Sequence, residues 1–187
     1  MNPTLRAFIA VELSDTLKTT ITAIQSELKK SPGNVKWVPP DICHITLKFL
    51  GEIKEDRIAP IRAILDHCAG EIKPFLVTVN SIGAFPTVDK PNIIWLGLKN
   101  EQNILTKLAS AIEERVNALG FIKEERPFTP HITIGRTRAG SHAALSQALP
   151  LIKPPQEILE VKALTFFQST LSSSGPTYSP HFRSPLK

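Results

Sequence analysis

The chain has 187 residues, 42% of them hydrophobic, which suits one domain with a sizeable core. It contains no apolar run long enough to span a membrane, no secretory signal in Met1-Asn2-Pro3-Thr4-Leu5-Arg6, and two cysteines, too few for a disulfide framework. A cytoplasmic protein with reduced cysteines and no membrane contact is expected, and the net charge of +5 favours a polyanionic partner.

In chain order, Arg6 to Leu13 reads as a strand, and Ser14 is placed to cap a helix with Leu17, Ile21, Ile24 and Leu28 on one face. Ser31-Pro32-Gly33-Asn34 ends it. A strand runs from His44 to about Gly51, followed by a helix near Glu55 to Cys68 in which Ile58, Ile61, Leu65 and Cys68 share a face. Pro60 fits that helix only in its first turn. Phe75 to Ile82 and Asn92 to Leu98 read as strands joined by the proline-bearing loop Phe85 to Pro91. Leu105, Leu108, Ile112, Val116 and Leu119 stripe a third helix closed by Gly120, with Glu113, Glu114 and Arg115 on a solvated face. The loop Arg126-Pro127-Phe128 leads into a further strand at His131. A short helix over Ser141 to Leu149, a long strand over Glu160 to Ser169 and a turn at Ser172-Ser173-Ser174-Gly175 complete the chain.

The tetrapeptide His44-Ile45-Thr46-Leu47 returns as His131-Ile132-Thr133-Ile134 in a chain with only five histidines. Residues i and i+2 of a strand share a face, so each histidine is paired with its threonine while the aliphatic residues anchor the opposite face in the core. Two imidazoles and two hydroxyls on a cleft, without a carboxylate or thiol, suit general acid and base work near neutral pH. The hydroxyls can donate to an anionic oxygen. A zinc site is the competing reading, but neither motif offers a third ligand at i+2 or i+4 in both copies, so no metal and no cofactor is expected. Cys43 adjoins a histidine but points to the other side of its strand. His67, His142 and His181 lie outside any repeat and read as surface or capping residues.

The motifs are 131 − 44 = 87 residues apart, close to half the chain, as an internal duplication would give. Each half would supply a sheet, outer helices and one His-x-Thr strand facing a central cleft, an α+β protein of two lobes. Residues 1–187 count as a single two-lobed domain because neither lobe carries a complete site. Arg136, at i+5 from His131, falls on the opposite face of a regular strand, although a bend at Gly135 would turn it toward phosphate. Lys48, at i+4 from His44, falls on the catalytic face, either against a nucleic-acid backbone or as a solvated lysine at the rim. Phe8, Trp37 and Tyr178 are candidates for stacking on a base, with a core role competing for the first two.

The stretch from Val35 to Gly51, VKWVPPDICHITLKFLG, resembles the first motif of the two-histidine phosphoesterases, and Phe128 to Arg136, FTPHITIGR, resembles the second. More narrowly the chain is similar to the RNA 2′,3′-cyclic phosphodiesterases, once described as 2′-5′ RNA ligases. The likeness continues through Arg6 to Leu13, Gly83-Ala84-Phe85-Pro86, Ile94-Trp95-Leu96-Gly97 and Gly175-Pro176-Thr177-Tyr178. It departs from the common pattern at Gly135, where alanine is frequent, and at Asn92, where a basic residue is usual. The resemblance implies two lobes of antiparallel sheet related by a pseudo-twofold axis. It implies an RNA end bearing a 2′,3′-cyclic phosphate as substrate, opened to a 2′-phosphomonoester with His44 as proton donor and His131 as acceptor. Thr46, Thr133 and Arg136 would bind the phosphate. No obligate protein partner is implied.

Three other readings use the same cleft. A ligase would run the reaction backwards, since each histidine serves in both directions. A binding module would hold RNA ends without chemistry, which gives no reason for two symmetric titratable groups. A small cyclic nucleotide or an ADP-ribose cyclic phosphate would change the substrate and not the mechanism. No aromatic platform for single strands and no block of arginines is present, so recognition of an end is expected over recognition of sequence.

Overall fold

Ser14 ends the first strand, β1 (Thr4–Glu12), and starts the first helix, α1 (Asp15–Leu28), by accepting the Leu17 N–H at 3.3 Å, the ordinary work of an N-cap serine. The structure is a computed structural model that describes residues 3–137, 142–173 and 175–187. Leu17, Ile21, Ile24 and Leu28 are buried as their spacing predicts, and Gln25 is buried with them. β2 (Val35–Trp37) and β3 (His44–Lys54) follow, then α2 (Ile58–Gly70), which takes Pro60 in its first turn, where a missing N–H costs no helical bond. β4 (Phe75–Pro86) and β5 (Pro91–Lys99) pair as a hairpin, so the predicted loop from Phe85 to Pro91 shrinks to 87–90. α3 (Ile104–Ala118) buries Leu105, Leu108, Ile112 and Val116 and ends before Gly120 at φ +91°, the left-handed conformation that favours glycine.

β6 (His131–Thr137), α4 (His142–Ala148), β7 (Ile158–Val161), β8 (Ala163–Ser172) and β9 (Gly175–Pro185) complete the order. Ser141, at the start of the predicted fourth helix, and Ser174, in the predicted turn, lie outside the described residues, as does the side chain of His142. The strand expected over Glu160 to Ser169 is two strands. Lys162 breaks it by giving its carbonyl to the Leu186 N–H at 2.8 Å, and the pieces part company, β7 pairing with β4 and β8 with β1.

Among the described residues nine strands form one sheet in the order β7-β4-β5-β6-β3-β1-β8-β9, with β2 beside β6. Counted from the middle, β3-β1-β8-β9 on one side matches β6-β5-β4-β7 on the other, each an antiparallel quartet. The quartets are the two lobes, and a single antiparallel pair, Ile45↔Ile132, joins them into a continuous sheet. The helix-bearing face holds the main core, with Ile9, Ile45, Ile94, Leu96, Ile132 and Ile134 at 0% exposure. Residues Ala7 to Val11 of β1 are buried without alternation because the other face is covered as well, by a smaller cluster of Phe8, Ala10 and Phe167 with Tyr178 against it. Among the described residues no helix is long and apolar enough to cross a membrane.

Candidate active site

His44 and His131 are the first residues of β3 and β6. Antiparallel pairing at Ile45↔Ile132 turns the residue before one isoleucine toward the residue after the other. His44 therefore stands on the side of Thr133, and His131 on the side of Thr46. Both imidazoles are fixed in the same way. His44 Nδ1 lies 2.8 Å from the Ile42 carbonyl and His131 Nδ1 lies 2.7 Å from the Thr129 carbonyl. A carbonyl oxygen only accepts, so Nδ1 carries the proton in each ring, and Nε2 is left to exchange protons with a substrate.

Aromatic rings back both histidines, and not equally. Phe8 stacks on His44 with centroids 4.7 Å apart, and Tyr178 meets it edge-on at 5.2 Å. Phe85 meets His131 edge-on at 5.3 Å. Burial holds the His44 pKa below the usual imidazole value, and the charge of the nearby His131 acts in the same direction, against the Ile42 carbonyl, which raises it. Cys43 is buried, its Sγ 3.5 Å from the Thr133 carbonyl, and burial pushes its thiol pKa up to about 12. It stays protonated and serves packing.

Beyond each threonine the strand carries a β-bulge in the same place. Against β1 the register runs Ala10↔Thr46 and then Ile9↔Lys48, skipping Leu47. Against β5 it runs Trp95↔Thr133 and then Ile94↔Gly135, skipping Ile134. An extra residue reverses the faces that follow. Phe49 and Arg136, each at i+5 from its histidine, are thereby brought to the cleft side, while Lys48 and Gly135 go to the helix side. The bulge in β6 is secured from outside the sheet: the Ile134 carbonyl accepts from the Val38 N–H at 3.0 Å and from Gln25 Nε2 at 2.9 Å. A cleft of about 410 Å³ results, with His44, Thr46, His131, Thr133 and Arg136 all on its wall together with Phe49 and Tyr178.

The family model described as LigT like Phosphoesterase matches this chain twice in succession, over residues 11–95 and 96–178, one match for each histidine strand. The chain belongs to the LigT-like phosphoesterase family. An RNA 2′,3′-cyclic phosphodiesterase of Archaeoglobus fulgidus is 33% identical over 174 residues, covering 93% of this chain and 96% of that protein. One of Thermotoga maritima is 32% identical over 174 residues, with 93% and 91% covered. Among solved structures, TT0787 of Thermus thermophilus superposes with a TM-score of 0.81 at 25% identity, over 97% of this chain and 98% of that one. Escherichia coli LigT complexed with 3′-AMP gives 0.79 at 26%, over 99% of each. The twofold match agrees with the paired quartets and with the spacing of the two tetrapeptides.

Within this LigT-like phosphoesterase the cleft gathers all five predicted site residues, and two neighbours need correction. Lys48 is neither on the cleft face nor solvated: its Nζ is buried between Glu113 Oε1 at 2.8 Å and the Ile122 carbonyl at 2.7 Å. Glu113 consequently leaves the solvated face expected of it. Trp37 lies on Gly135, where a Cβ would come within 3.0 Å of Val35 and 3.1 Å of the Trp37 ring, so the residue at 135 must be small, and Lys29 sits 5.9 Å over the indole. Phe8 is buried behind His44, which gives it a role in the site without contact to a base. His67 pairs with Glu71 at 3.4 Å on the surface, and His181 is exposed. The sequence reading missed Phe49, 56% exposed on the cleft wall. Its signal was present, since it stands at i+5 in the first motif as Arg136 does in the second.

Proposed function

We propose that this protein is an RNA 2′,3′-cyclic phosphodiesterase that opens a terminal cyclic phosphate to a 2′-phosphomonoester by metal-independent acid and base catalysis. The observation that carries the reading is the matched pair of imidazoles, each with Nδ1 held by a carbonyl two residues upstream, on the wall of one cleft. The names of the relatives point to the same substrate. The cyclic phosphate lies between the histidines with its anionic oxygens toward Thr46 and Thr133, and Arg136 adds positive charge. His131 Nε2 takes a proton from water as the water oxygen bonds to phosphorus. The bond from phosphorus to the 3′ oxygen breaks, and that oxygen takes the proton of His44 Nε2.

Burial favours neutral His44 in the free enzyme, whereas an acid must arrive protonated. The substrate supplies the difference, because an anionic phosphate beside an imidazole raises its pKa. Binding then brings a proton to His44 at the moment it is needed. The same reading treats the whole chain as one domain acting in the cytoplasm, in keeping with two free buried cysteines, and without an obligate protein partner.

The test is a short RNA ending in a 2′,3′-cyclic phosphate, incubated with the protein and a metal chelator. The expected product is the 2′-phosphate, with losses in kcat of roughly 100-fold or more for His44→Ala and for His131→Ala. An inert cyclic end, or undiminished activity in either variant, would overturn the reading. Loss of turnover on adding the chelator would overturn its metal-independent part.

A further inference from the structure

Three rings surround His44, and one meets His131. Around His44 stand Phe8, Tyr178 and Phe167, with centroids at 4.7, 5.2 and 6.2 Å. Among the described residues the one ring against His131 is Phe85, edge-on at 5.3 Å with the planes at 88°. The bond from Nδ1 to the Thr129 carbonyl holds one corner of that imidazole, and a ring held at one corner can swing. Phe85 is the ring placed to stop it.

Phe85 is itself half-buried and leans on Trp95, centroids 5.2 Å apart and planes inclined by 35°. Packing and not hydrogen bonding sets Trp95, since its Nε1 is buried without a partner among the described residues. The indole lies on two glycines. A Cβ at Gly83 would come within 2.5 Å of the Trp95 Cζ2, and one at Gly97 within 2.9 Å of its Cζ3. Gly83 is the cross-strand partner of Trp95, and Gly97 is that of His131. Trp95 also stands opposite Thr133 in the place that Ala10 takes opposite Thr46. The first lobe covers this face with several rings around a small residue, and the second covers it with one indole over bare glycines.

Resting on the reading of His131 as the general base of a cyclic phosphodiesterase, we infer that Phe85 is a positioning residue for that base and that Trp95, on its glycine cradle, holds Phe85 in place. The stack acts through orientation. Nε2 must face the attacking water as the water oxygen approaches phosphorus, and a ring turned away forfeits the proton transfer. His44 needs no such device, because three rings already enclose it. Neither Phe85 nor Trp95 lines the cleft, so both work through His131 and not on the substrate.

The experiment joins steady-state kinetics on an RNA ending in a 2′,3′-cyclic phosphate to nitrogen NMR of the histidine rings. In the wild type His131 should show a single neutral tautomer with its proton on Nδ1. Phe85→Leu should mix the His131 tautomers, leave His44 alone, and lower kcat by about tenfold to 100-fold with KM held within about twofold. Phe85→Tyr keeps the ring and should restore both readouts. Gly83→Ala forces the indole to move and should act in the same direction, with less effect in a Trp95→Phe background, where the smaller ring leaves room for the methyl. An unchanged His131 tautomer in Phe85→Leu, or a lower melting temperature with kcat intact, overturns the positioning role. So does a rise in KM alone, which would put Phe85 on the substrate. A wild type inert toward the cyclic end overturns the phosphodiesterase reading instead, while the tautomers, which need no turnover, still decide whether Phe85 holds the ring.

Discussion

Phe8 lies face to face with His44, ring centroids 4.7 Å apart and planes inclined by 30°, and it belongs to the small buried cluster that keeps water from the imidazole. Burial is the main cause of the lowered His44 pKa, so opening this contact should let the pKa rise toward the ordinary 6.5. Phe8→Leu is expected to raise the NMR titration midpoint of His44. If His44 is the proton donor, as proposed, that donor is lost in the free enzyme as pH rises through its pKa, so the alkaline fall of kcat/KM should move to higher pH. The linkage to stability has the opposite sense. With the folded pKa below the unfolded value, His44 contributes stability above about pH 6.5 that is lost as pH falls toward the folded pKa. Phe8→Leu should reduce that acid sensitivity while costing about 1–2 kcal/mol in packing. A midpoint that stays put or falls would show that the ring does not set the His44 environment.

Lys48 and Glu113 form a buried pair, their side chains 2% and 13% exposed, and the Ile122 carbonyl takes a second lysine proton. Removing one member strands the other charge, a loss of about 3 kcal/mol. Glu113 keeps the Glu124 N–H at 3.0 Å as partial compensation. Urea denaturation of Lys48→Met should show that loss, and Lys48→Met with Glu113→Leu should recover much of it. A solvated rim lysine would cost under about 0.5 kcal/mol when replaced. That outcome would return Lys48 to the role its spacing first suggested.

Lys48 also shows where sequence reading stopped. Period-two alternation placed His44 with Thr46 and His131 with Thr133 correctly, because those residues come before the bulge. It misplaced Lys48 and left Arg136 on the far face because both come after. The bulge is set by cross-strand partners, Ile9 and Ala10 on one side and Ile94 and Trp95 on the other, and local periodicity carries no record of them. The Lys48 partner lies 65 residues away, equally out of reach. Helix faces fared better, since the stripe in α3 and the Ser14 cap are local properties that packing had no cause to override. The break at Lys162 depends on a bond from Leu186, which no apolar pattern announces.

Gln25 follows from the same bulge. Its amide nitrogen donates to the Val38 carbonyl at 2.7 Å and to the Ile134 carbonyl at 2.9 Å, which ties α1 to the residue skipped by β5. Gln25→Leu keeps the volume and removes both donors, so it should cost about 1–3 kcal/mol through under-satisfied buried carbonyls. The informative readout is kinetic. If Gln25 holds the bulge that delivers Arg136, Gln25→Leu should raise KM with a smaller change in kcat, and Arg136→Ala should add little once Gln25 is replaced. Fully additive effects of the two substitutions would mean that they act independently.

Thr46 and Thr133 stand at the same step after their histidines and on opposite sides of the Ile45↔Ile132 joint, each toward the other lobe's imidazole. If both hydroxyls hold the non-bridging oxygens of the phosphate as charge builds in the transition state, replacing either by valine removes one donor with almost no change in shape. A single donor of this kind is worth about 100-fold to 1,000-fold in kcat. Thr46→Val and Thr133→Val should therefore fall by similar factors, and the serine variants should keep most of the activity because the hydroxyl, and not the methyl, does the work. Stability should move little, since both positions are half-buried on the cleft side. Single-turnover rates on a cyclic-phosphate end provide the measurement, free of product release. Serine variants as impaired as the valine ones would assign the threonines to packing and leave the phosphate to Arg136 and the imidazoles.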